Sequence, residues 1–458
     1  MKILFTQAPF ITINDEFKSL EKIDFKYKCL KLAQYYSGKQ FLNYYKGDKV
    51  RYGVRAGSRW PFTLDYLSGY YPFPFMLAYS AGLLKSKGYK VNLIDAIVNK
   101  TFSYEAYIKQ VKKEKADIIV LECAAISFES DVSIAKKLSE FTDVALAGPH
   151  FTDEEALKIQ EKYPFIKYIL KGEYIKSSLK MAQSQKQGIY DSEIVKNLDE
   201  IPFPFRDFKN ADKYYDGSVN ADSRPQLQIY ASKGCPFHCK FCLWPQTMYK
   251  GNVAQHSPKL IAEEIKENLK KHNYKNIFFD DDTFNIGTER ISELCDYLKE
   301  IGLPWTMMGR LDCSPLWLYD KMVECGCTGM RFGIETFDLD CLKKINKGIE
   351  RVDFLNTLKH LINKYPQLWL HVTMMKDMPA QSEEIHNNDM QILEEMGFTY
   401  NCGKHSYQLS ICSPYKGTVL YKELEDKLGK EYLELNNKVD GCRDTLMTTL
   451  NKKGFWAE

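Results

Sequence analysis

The sequence predicts an α/β protein built from a doubly wound, Rossmann-like domain followed by a partial (β/α) TIM barrel. Two observations support this fold class. Short apolar runs alternate with helical patterns from the N-terminus onward, and a second series of the same kind starts near residue 226. The 458 residues are too many for one ordinary domain. With 44% hydrophobic and 27% charged residues, the composition is typical of a globular protein rather than a disordered or fibrous one.

The N-terminal series contains five predicted strands. An amphipathic helix opened by proline is expected over residues 74–88 and closed by Gly88. Five strands with intervening helices in about 175 residues predict a doubly wound sheet, which binds ligands beyond the C-terminal ends of its strands. The predicted strands begin at Met1, Val91, Asp117, Val144 and Tyr168.

The second series predicts five strands of a barrel, whose active site would lie at the C-terminal strand ends. The predicted strands begin at Gln226, Asn276, Trp305, Gly329 and Leu368. The expected boundaries are 1–190 for the first domain with an insertion at about 11–70, 191–225 for a linker rich in Pro and Asp, 226–410 for the barrel, and 411–458 for a helical appendix. The aromatic and basic insertion is interpreted as a pair of solvated helices, with a substrate or partner surface as the alternative.

Charge and cysteine content restrict the setting in which the protein works. A net charge of +3 argues against a broad nucleic-acid-binding surface. The N-terminus lacks the apolar region of a signal peptide, and no stretch approaches the roughly 18 to 20 uncharged apolar residues that span a bilayer. The thirteen scattered cysteines predict reduced thiols rather than a disulfide framework. We therefore expect a cytoplasmic protein.

Cys235, Cys239 and Cys242 lie in C-x3-C-x2-C spacing just after the first predicted barrel strand. Thiolates are soft ligands that suit iron–sulfur clusters or zinc. Three of them within eight residues can hold one 4Fe-4S cubane and leave one iron without a protein ligand. A zinc site normally recruits a fourth cysteine or histidine nearby, and His238 inside the loop keeps zinc open as the alternative.

This spacing, with the aromatic Phe241 directly before the last cysteine, resembles that of the radical S-adenosylmethionine (SAM) superfamily. The resemblance implies that SAM chelates the open iron and that its reductive cleavage gives a 5′-deoxyadenosyl radical. Two alternatives stay open: the acidic run 280–282 could cap the following helix, and Arg310 and Glu335 could form structural ion pairs. The SAM contacts that the resemblance implies are Phe241, Asp280, Asp281, Arg310 and Glu335.

Segments of the N-terminal half resemble, in order, the landmarks of the cobalamin-binding class of this superfamily. They are QAPF at Gln7, the stretch from Tyr71 to Ala96, LAGPHFT at Leu146, LKGEY at Leu170 and NLDEIPFPFRD at Asn197. No histidine falls in the D-x-H-x-x-G pattern, so the lower face of cobalamin would carry no imidazole ligand, as is usual in this class. A domain that has lost cobalamin binding is the alternative. The contacts that the resemblance implies are Gln7, Ser127, Gly148, Pro149, His150, Gly172 and Glu173.

One segment departs from the pattern of this class. At Thr373 the chain reads TMMKDMPAQSEE, where relatives more often carry a turn resembling Gly-Pro-Gly-Glu. The fifth barrel strand is therefore expected to end in an altered loop.

Taken together, the motifs predict an enzyme that uses a 4Fe-4S cluster, SAM and cobalamin to methylate an unactivated carbon of a small-molecule, lipid or peptide substrate. The alternatives are a radical cyclase or rearrangement enzyme, and a non-catalytic iron–sulfur or zinc-binding interaction protein. FCLWPQT after the cysteines also resembles radical SAM proteins of hopanoid and lipid biosynthesis. An external low-potential donor such as flavodoxin or ferredoxin and a monomeric state are expected, and the fold does not select the substrate.

Overall fold

The computed structural model forms two compact units, Met1–Val195 with Glu200–Asn220, and Lys196–Asp199 with Ala221–Glu458. None of the helices in the described part of the chain is both long enough and apolar enough to cross a lipid bilayer. The described residues are 1–13, 16–37, 44–45, 48–53, 71–151, 153–216, 223–347, 354–437 and 446–456.

The first unit alternates strands and helices. Its elements are β1 (Lys2–Gln7), β2 (Phe10–Ile13), α1 (Leu20–Ser37), β3 (Tyr44–Tyr45), β4 (Asp48–Gly53), α2 (Phe75–Ser86), β5 (Lys90–Asp95), α3 (Tyr104–Lys113), β6 (Ile118–Glu122), α4 (Phe128–Leu138), β7 (Asp143–Gly148), α5 (Asp153–Lys162), β8 (Tyr168–Lys171), α6 (Ile175–Ser184) and β9 (Gly188–Tyr190).

Six strands of this unit form a parallel sheet in the order β5-β1-β6-β7-β8-β9. The order places β1 inside the sheet with helical crossovers between neighbouring strands, which is the doubly wound arrangement. The predicted fold class is therefore confirmed for this half. The short strand β9 was not predicted, because its three residues are too few to show a period.

The helix α2 starts directly after Pro74 and ends before Gly88, as the sequence predicts. It is not amphipathic, however, because every residue of Phe75–Leu84 is buried. A helix that is apolar nearly all round needs cover on more than one side.

Part of that cover comes from residues 200–216, which the sequence assigned to a linker. The N–H of Phe205 donates to the carbonyl oxygen of Ala78 at 2.9 Å. A Cβ at Gly82 would lie 2.5 Å from the carbonyl oxygen of Phe203, so the two segments touch backbone to backbone. These residues therefore belong to the first unit rather than to a strap between domains.

The insertion at 11–70 is not a pair of helices in its described part. It contains the helix α1 and a three-stranded antiparallel sheet in the order β2-β4-β3. The sequence here shows no clear period, so neither element could be read from it. Much of the insertion lies outside the described residues.

The second unit repeats the alternation. Its elements are β10 (Gln226–Ile229), β11 (Ser232–Lys233), α7 (Leu243–Thr247), β12 (Ala254–Gln255), α8 (Pro258–Leu269), β13 (Asn276–Phe279), α9 (Thr288–Ile301), β14 (Trp305–Gly309), α10 (Leu316–Glu324), β15 (Cys327–Glu335), α11 (Leu339–Lys344), α12 (Phe354–Lys364), β16 (Trp369–Lys376), α13 (Glu383–Glu395), β17 (Thr399–Tyr400), β18 (His405–Ile411), α14 (Val419–Leu428), α15 (Lys430–Asn436) and α16 (Leu446–Lys452).

Seven strands of this unit form a parallel sheet in the order β10-β13-β14-β15-β16-β18-β17. All five strands predicted for the partial barrel are present. The strand β18 was not predicted and runs across the boundary expected at residue 410.

Side chains alternate between the two faces of this sheet. One face packs against the helices and forms a continuous core, to which the strands contribute Leu227, Ile229, Ile277, Phe279, Trp305, Met307, Met330, Phe332, Leu370 and Val372. Because parallel strands all end at the same edge, the residues that follow β10, β13, β14 and β15 gather there.

Candidate active site

The three cysteines lie in a loop at the C-terminal edge of the second sheet. The strands β11 and β12 pair as an antiparallel ribbon, and Gly234 follows β11 with φ +83°. A Cβ at this position would lie 2.1 Å from the carbonyl oxygen of Asn252, so the ribbon closes only with glycine here. Cys235 follows, and its Sγ lies 3.3 Å from Oγ1 of Thr283, after the end of β13.

Hydrogen bonds to backbone groups fix the rest of the loop. Gln246 on α7 donates from Nε2 to the carbonyl oxygens of Cys239 at 3.0 Å and Cys242 at 2.7 Å. Its Oε1 accepts from the N–H of Val419 at 2.8 Å. The amide group of Gln246 therefore joins the carbonyl groups of two cysteines. The sequence did not predict this role, since only the closeness of Gln246 to the motif could have indicated it.

The three thiols form no disulfide. Burial raises the pKa of Cys235 and holds that of Cys242 well above its ordinary value. Burial also raises the pKa of Cys239, but Lys347 and Arg310 oppose this effect. Cationic neighbours favour the thiolate that a metal requires.

Two other residues of the motif differ in their surroundings. Phe241, expected near the adenine of SAM, is partly buried and packs against the hydrophobic core. His238, the candidate fourth zinc ligand, is exposed. Among the described residues, no three His, Cys, Asp or Glu side chains are arranged around a single metal-ion position.

Arg310 follows β14 and is 6% exposed. Its Nε and Nη2 donate to the two carboxylate oxygens of Asp312 at 2.9 and 2.7 Å, and Nη2 also donates to the carbonyl oxygen of Lys347 at 2.6 Å. Nη1 donates to Sγ of Cys239 at 3.7 Å, and the guanidinium lies 3.7 Å from the ring centroid of Phe237. Burial acts against the charge, but the hydrogen bonds to Asp312 outweigh it and raise the pKa of Arg310.

Glu335 ends β15 and forms a buried ion pair with Lys347. Its φ of +69° lies in the left-handed region, which is costly for a residue with a Cβ and is often found at functional sites. Both Glu335 and Arg310 are therefore in ion pairs, as the alternative interpretation allowed, and their contacts with SAM stay predictions. Lys347 was not predicted as a site residue, because it follows α11 in a segment without a recognisable motif.

The acidic run at the end of β13 supports the cysteine loop. Oδ1 of Asp281 accepts from the N–H of Ala231 at 2.9 Å, and its Oδ2 accepts from the hydroxyl group of Ser232 at 2.6 Å. Asp282 accepts from the N–H of Gly234 at 2.8 Å. Asp280 is 4% exposed at the same strand end. Two of the three carboxylates thus hold the chain that leads into the loop.

The alternative that residues 280–282 cap the next helix is wrong. The helix α9 begins at Thr288, with Gly287 at the N-cap and no side-chain cap. Asn285 is a polar residue for which the sequence predicted no role. Its Nδ2 donates to the carbonyl oxygen of Arg310 at 2.8 Å, and its Oδ1 accepts from the N–H of Arg310 at 3.1 Å. Asn285 therefore fixes the backbone from which Arg310 extends.

The altered loop after β16 contains two residues in the left-handed region, Asp377 at φ +60° and Ala380 at φ +62°. The hydroxyl group of Thr448 donates to Asp377 at 2.5 Å, and Nδ2 of Asn451 donates to the carbonyl oxygen of Met378 at 3.0 Å. The helix α16 thus holds this loop in place. The second unit extends to Glu458, and its last elements are the helices α14, α15 and α16, in the segment expected to be a helical appendix.

The residues expected to contact cobalamin all lie at the C-terminal edge of the first sheet. They are Gln7 at the end of β1, Ser127 after β6, Gly148 at the end of β7 with Pro149 and His150 after it, and Gly172 and Glu173 after β8.

These residues differ in their exposure. Pro149 and His150 are partly exposed. Glu173 is fully buried and accepts a backbone N–H at 3.1 Å, and the hydroxyl group of Ser127 donates to Asp131 at 2.7 Å. Glu173 and Ser127 therefore have contacts within the unit that account for them without a ligand.

Two buried carboxylates at the same edge were not predicted. Glu122 ends β6 and accepts from the hydroxyl group of Tyr174 at 2.7 Å. Asp95 ends β5 and accepts from that of Tyr214 at 2.8 Å. Both lie at the ends of apolar runs, where the sequence pattern predicts a strand but does not indicate which side chain donates a hydrogen bond to the carboxylate.

The chemistry of both sites fits the implied cofactors. Three free thiols in one loop beside a buried cation match the donor set of a cubane. At the edge of the first sheet, Gly148 has φ +141°, and a Cβ there would lie 2.5 Å from the carbonyl oxygen of Cys123. The ends of β6 and β7 therefore meet without a side chain between them, which suits a ligand lying across this edge.

A family model described as the radical SAM superfamily matches residues 229–387, which contain the cysteine loop and the strands β13 to β16. Residues 229–387 form a radical SAM domain. The cysteine loop, the acidic run, Arg310 and Glu335 all lie within this radical SAM domain.

Known proteins resemble the chain beyond that segment. It is 26% identical over 378 residues to the uncharacterized methyltransferase PH0819 of Pyrococcus horikoshii. The matched region covers 76% of this chain and 78% of PH0819. It spans less than half of the length of two further curated relatives.

Two solved structures share the fold at low identity. The radical SAM methyltransferase TsrM of Kitasatospora setae, with tryptophan and a SAM analogue bound, has a TM-score of 0.62 at 13% identity and covers 78% of this chain and 74% of its own. The cobalamin-dependent SAM radical enzyme OxsB, with aqua-cobalamin and SAM bound, has a TM-score of 0.54 at 14% identity. The match covers 99% of this chain and 61% of the OxsB chain.

Proposed function

We propose that this radical SAM protein is a cobalamin-dependent methyltransferase that acts on an unactivated carbon of its substrate. One observation carries the proposal: the three-cysteine loop lies at the C-terminal edge of a parallel sheet, beside the buried polar ends of β13, β14 and β15. The names of relatives support the reaction type, since PH0819 and TsrM are described as methyltransferases.

The thiols of the cysteine loop would hold the cluster, and Glu335, Asp280 and Phe241 would contact SAM. When bound, the cluster and SAM supply a carbon radical, and cobalamin supplies a methyl group. The chain itself would bind, orient and shield these groups. Arg310 and Lys347 are 6% and 3% exposed, so they exclude water from the side of the loop on which they lie.

The C-terminal edge of the first sheet would hold cobalamin, with Pro149 and His150 nearest to solvent. His150 lacks the preceding Asp of the D-x-H-x-x-G pattern. We therefore infer that no histidine of the chain binds the lower face of cobalamin. Electron paramagnetic resonance of the cobalt(II) form would test this, because an axial imidazole nitrogen splits each cobalt hyperfine line into three, whereas without it the cobalt lines carry no such nitrogen splitting.

The reaction type can be tested by measuring where the methyl group of SAM is transferred. With a substrate and a low-potential reductant, methyl-labelled SAM should transfer its label to the product. S-adenosylhomocysteine and 5′-deoxyadenosine should then form in roughly equal amounts per product, because methyl donation and reductive cleavage leave different remnants of SAM.

Two other outcomes would contradict the proposal. Substrate-dependent 5′-deoxyadenosine with no label in the product would indicate a cyclase or rearrangement enzyme. No SAM cleavage by protein that carries its cluster would indicate a non-catalytic role. The proposal also requires a low-potential electron donor of the flavodoxin or ferredoxin class, and we further propose a cytoplasmic monomer.

A further inference from the structure

Two buried ion pairs lie beside Cys239. The side chains of Arg310 and Asp312 are 7% and 8% exposed, and those of Lys347 and Glu335 are 4% and 10% exposed. The two pairs are joined, since Nη2 of Arg310 donates to the carbonyl oxygen of Lys347 at 2.6 Å. Each cation near Cys239 is thus matched by one carboxylate.

Of the two cations, Arg310 contacts the thiol directly. Nη1 donates to Sγ of Cys239 at 3.7 Å, while Nε and Nη2 are held by Asp312. The ring of Phe237 lies 3.7 Å from the guanidinium and keeps it from turning away. Because the guanidinium is planar and rigid, fixing its other donors also fixes the direction of Nη1.

Hydrogen bonds to the sulfurs and the local net charge set the reduction potential of an iron–sulfur cluster. Reduction adds one electron from an external donor and makes the cluster one charge more negative. A donor at Sγ of Cys239 therefore stabilises the reduced form more than the oxidised form, and a carboxylate behind that donor has the opposite effect. The low exposure of both side chains means that little solvent screens either effect.

We propose that Arg310 is a positioning residue that raises the reduction potential of the cluster through Cys239, and that Asp312 limits this increase. The proposal rests on the cluster assignment made above and not on methyl transfer. It gives Arg310 a role that differs from the expected contact with SAM.

The test is a redox titration of the anaerobically reconstituted full chain without SAM, followed by the electron paramagnetic resonance of the reduced cluster. Arg310→Gln should shift the midpoint potential to a more negative value, because the hydrogen bond and the charge are lost while Asp312 remains. Asp312→Asn should shift it to a more positive value, because the cation then lacks its carboxylate. Arg310→Lys, which keeps the charge, should lie between Arg310→Gln and wild type.

A matched control removes a carboxylate from another ion pair. Asp320 on α10 pairs with His360 and Lys364 and is 18% exposed, and Asp320→Asn should leave the midpoint potential unchanged. Shifts of the same sign for Arg310→Gln and Asp312→Asn, or no shift for either, would overturn the proposal.

A second measurement covers the case in which Arg310→Gln loses its iron. An N–H donor to sulfur makes the iron–sulfur stretching bands in the resonance Raman spectrum sensitive to exchange into deuterated water. Wild type and Asp312→Asn should show this isotope shift. Its absence from wild type would contradict the hydrogen bond, whatever the methyl-transfer assay gives.

Discussion

Gln246 shows how one side chain can determine the shape of the cysteine loop. Its amide group donates to the carbonyl oxygens of Cys239 and Cys242 and accepts from the backbone of α14. Glutamate has the same shape but no N–H donor, so it would place a carboxylate oxygen against two carbonyl oxygens. Each hydrogen bond lost in this way costs about 1 kcal/mol, and a buried group left unsatisfied costs about 1–3 kcal/mol.

We therefore predict that Gln246→Glu reduces the iron and sulfide bound per chain by more than half after anaerobic reconstitution. Gln391→Glu is the matched control, because Gln391 lies on α13 and its amide reaches only an exposed carboxylate, at 2.9 Å. The control should bind iron like wild type. Equal iron contents in the two variants would show that Gln246 does not hold the loop.

At the scale of single residues, the sequence indicated the three thiols but not the side chains that hold neighbouring groups in place. The cysteine spacing identifies three thiols because the ligands are close in the chain. Asn285 and Lys347 reach Arg310 and Glu335 from other segments, and only the folded chain brings them together. Arg310 itself was predicted as a site residue, but its bond to Cys239 could not be read from a separation of 71 positions along the chain.

At the scale of elements, the ribbon of β11 and β12 depends on one glycine. Gly234 has both a positive φ and the carbonyl oxygen of Asn252 where a Cβ would be. Gly302, after α9, has a similar φ of +75° but nothing within 4 Å of its Cβ position. Comparing alanine at these two positions therefore separates backbone strain from steric exclusion.

We predict that Gly302→Ala costs roughly 1–2 kcal/mol of stability, the usual cost of a left-handed backbone for a residue with a Cβ, and leaves iron content unchanged. Gly234→Ala should cost more and also lower the iron content, since the ribbon must open to admit the methyl group. Urea unfolding and iron analysis measure the two effects. A full complement of iron in Gly234→Ala would show that the loop tolerates an open ribbon.

The strand β16 contains a histidine that makes stability depend on pH. His371 is 9% exposed, its Nδ1 lies 2.9 Å from the hydroxyl group of Ser406, and its ring stacks on Trp369. Burial, helped by the charge of Arg331, lowers its pKa to about 4. The folded state therefore binds fewer protons than the unfolded state, and stability that is complete above pH 6.5 is lost as the pH falls towards 4.

From this shift we predict that His371 lowers the free energy of unfolding by about 2 kcal/mol between pH 8 and pH 5. His371→Gln should remove that part of the pH dependence, so the difference between wild type and variant should change over this range in urea titrations. His272→Gln, at a partly exposed position, serves as the control and should keep the wild-type dependence. A constant difference between wild type and His371→Gln would contradict the assigned shift.

Strands and helices were predictable where their apolar residues formed a distinct pattern along the chain. Ten strands were expected from short apolar runs that alternate with helical patterns, and all ten are present. Such runs are reliable because buried parallel strands are continuous apolar segments. The strand β18 was missed although Tyr407, Leu409 and Ile411 alternate with Ser406, Gln408 and Ser410, because it lacks the continuous apolar run by which most of the other strands were identified. The helix α2 looked amphipathic because its last turn carries lysine, although every residue of Phe75–Leu84 is buried.

At the scale of the whole molecule, the sequence predicted two α/β units but not their borders. The boundary depends on residues 200–216, which return to cover α2 of the first unit, while residues 196–199 belong to the second. A Pro-rich segment gives no local sign of which core it will cover. Contacts such as that between Gly82 and Phe203 determine the border, and they join residues far apart in the chain.

Because each unit has a parallel sheet of its own, the cysteine loop and the proposed cobalamin edge depend on different cores. Replacing Cys235, Cys239 and Cys242 together by Ala should therefore abolish the brown 4Fe-4S absorption and all SAM cleavage, while cobalamin, added during refolding, should still bind with its own visible spectrum. The control is Cys295→Ala with Cys412→Ala, two buried cysteines outside the loop, which should retain both cofactors. Iron analysis and absorption of the desalted proteins measure both sites in one sample. A cluster retained in the triple variant would contradict the assignment of the three thiols, whereas loss of cobalamin from a triple variant that remains folded would show that the two sites are not independent.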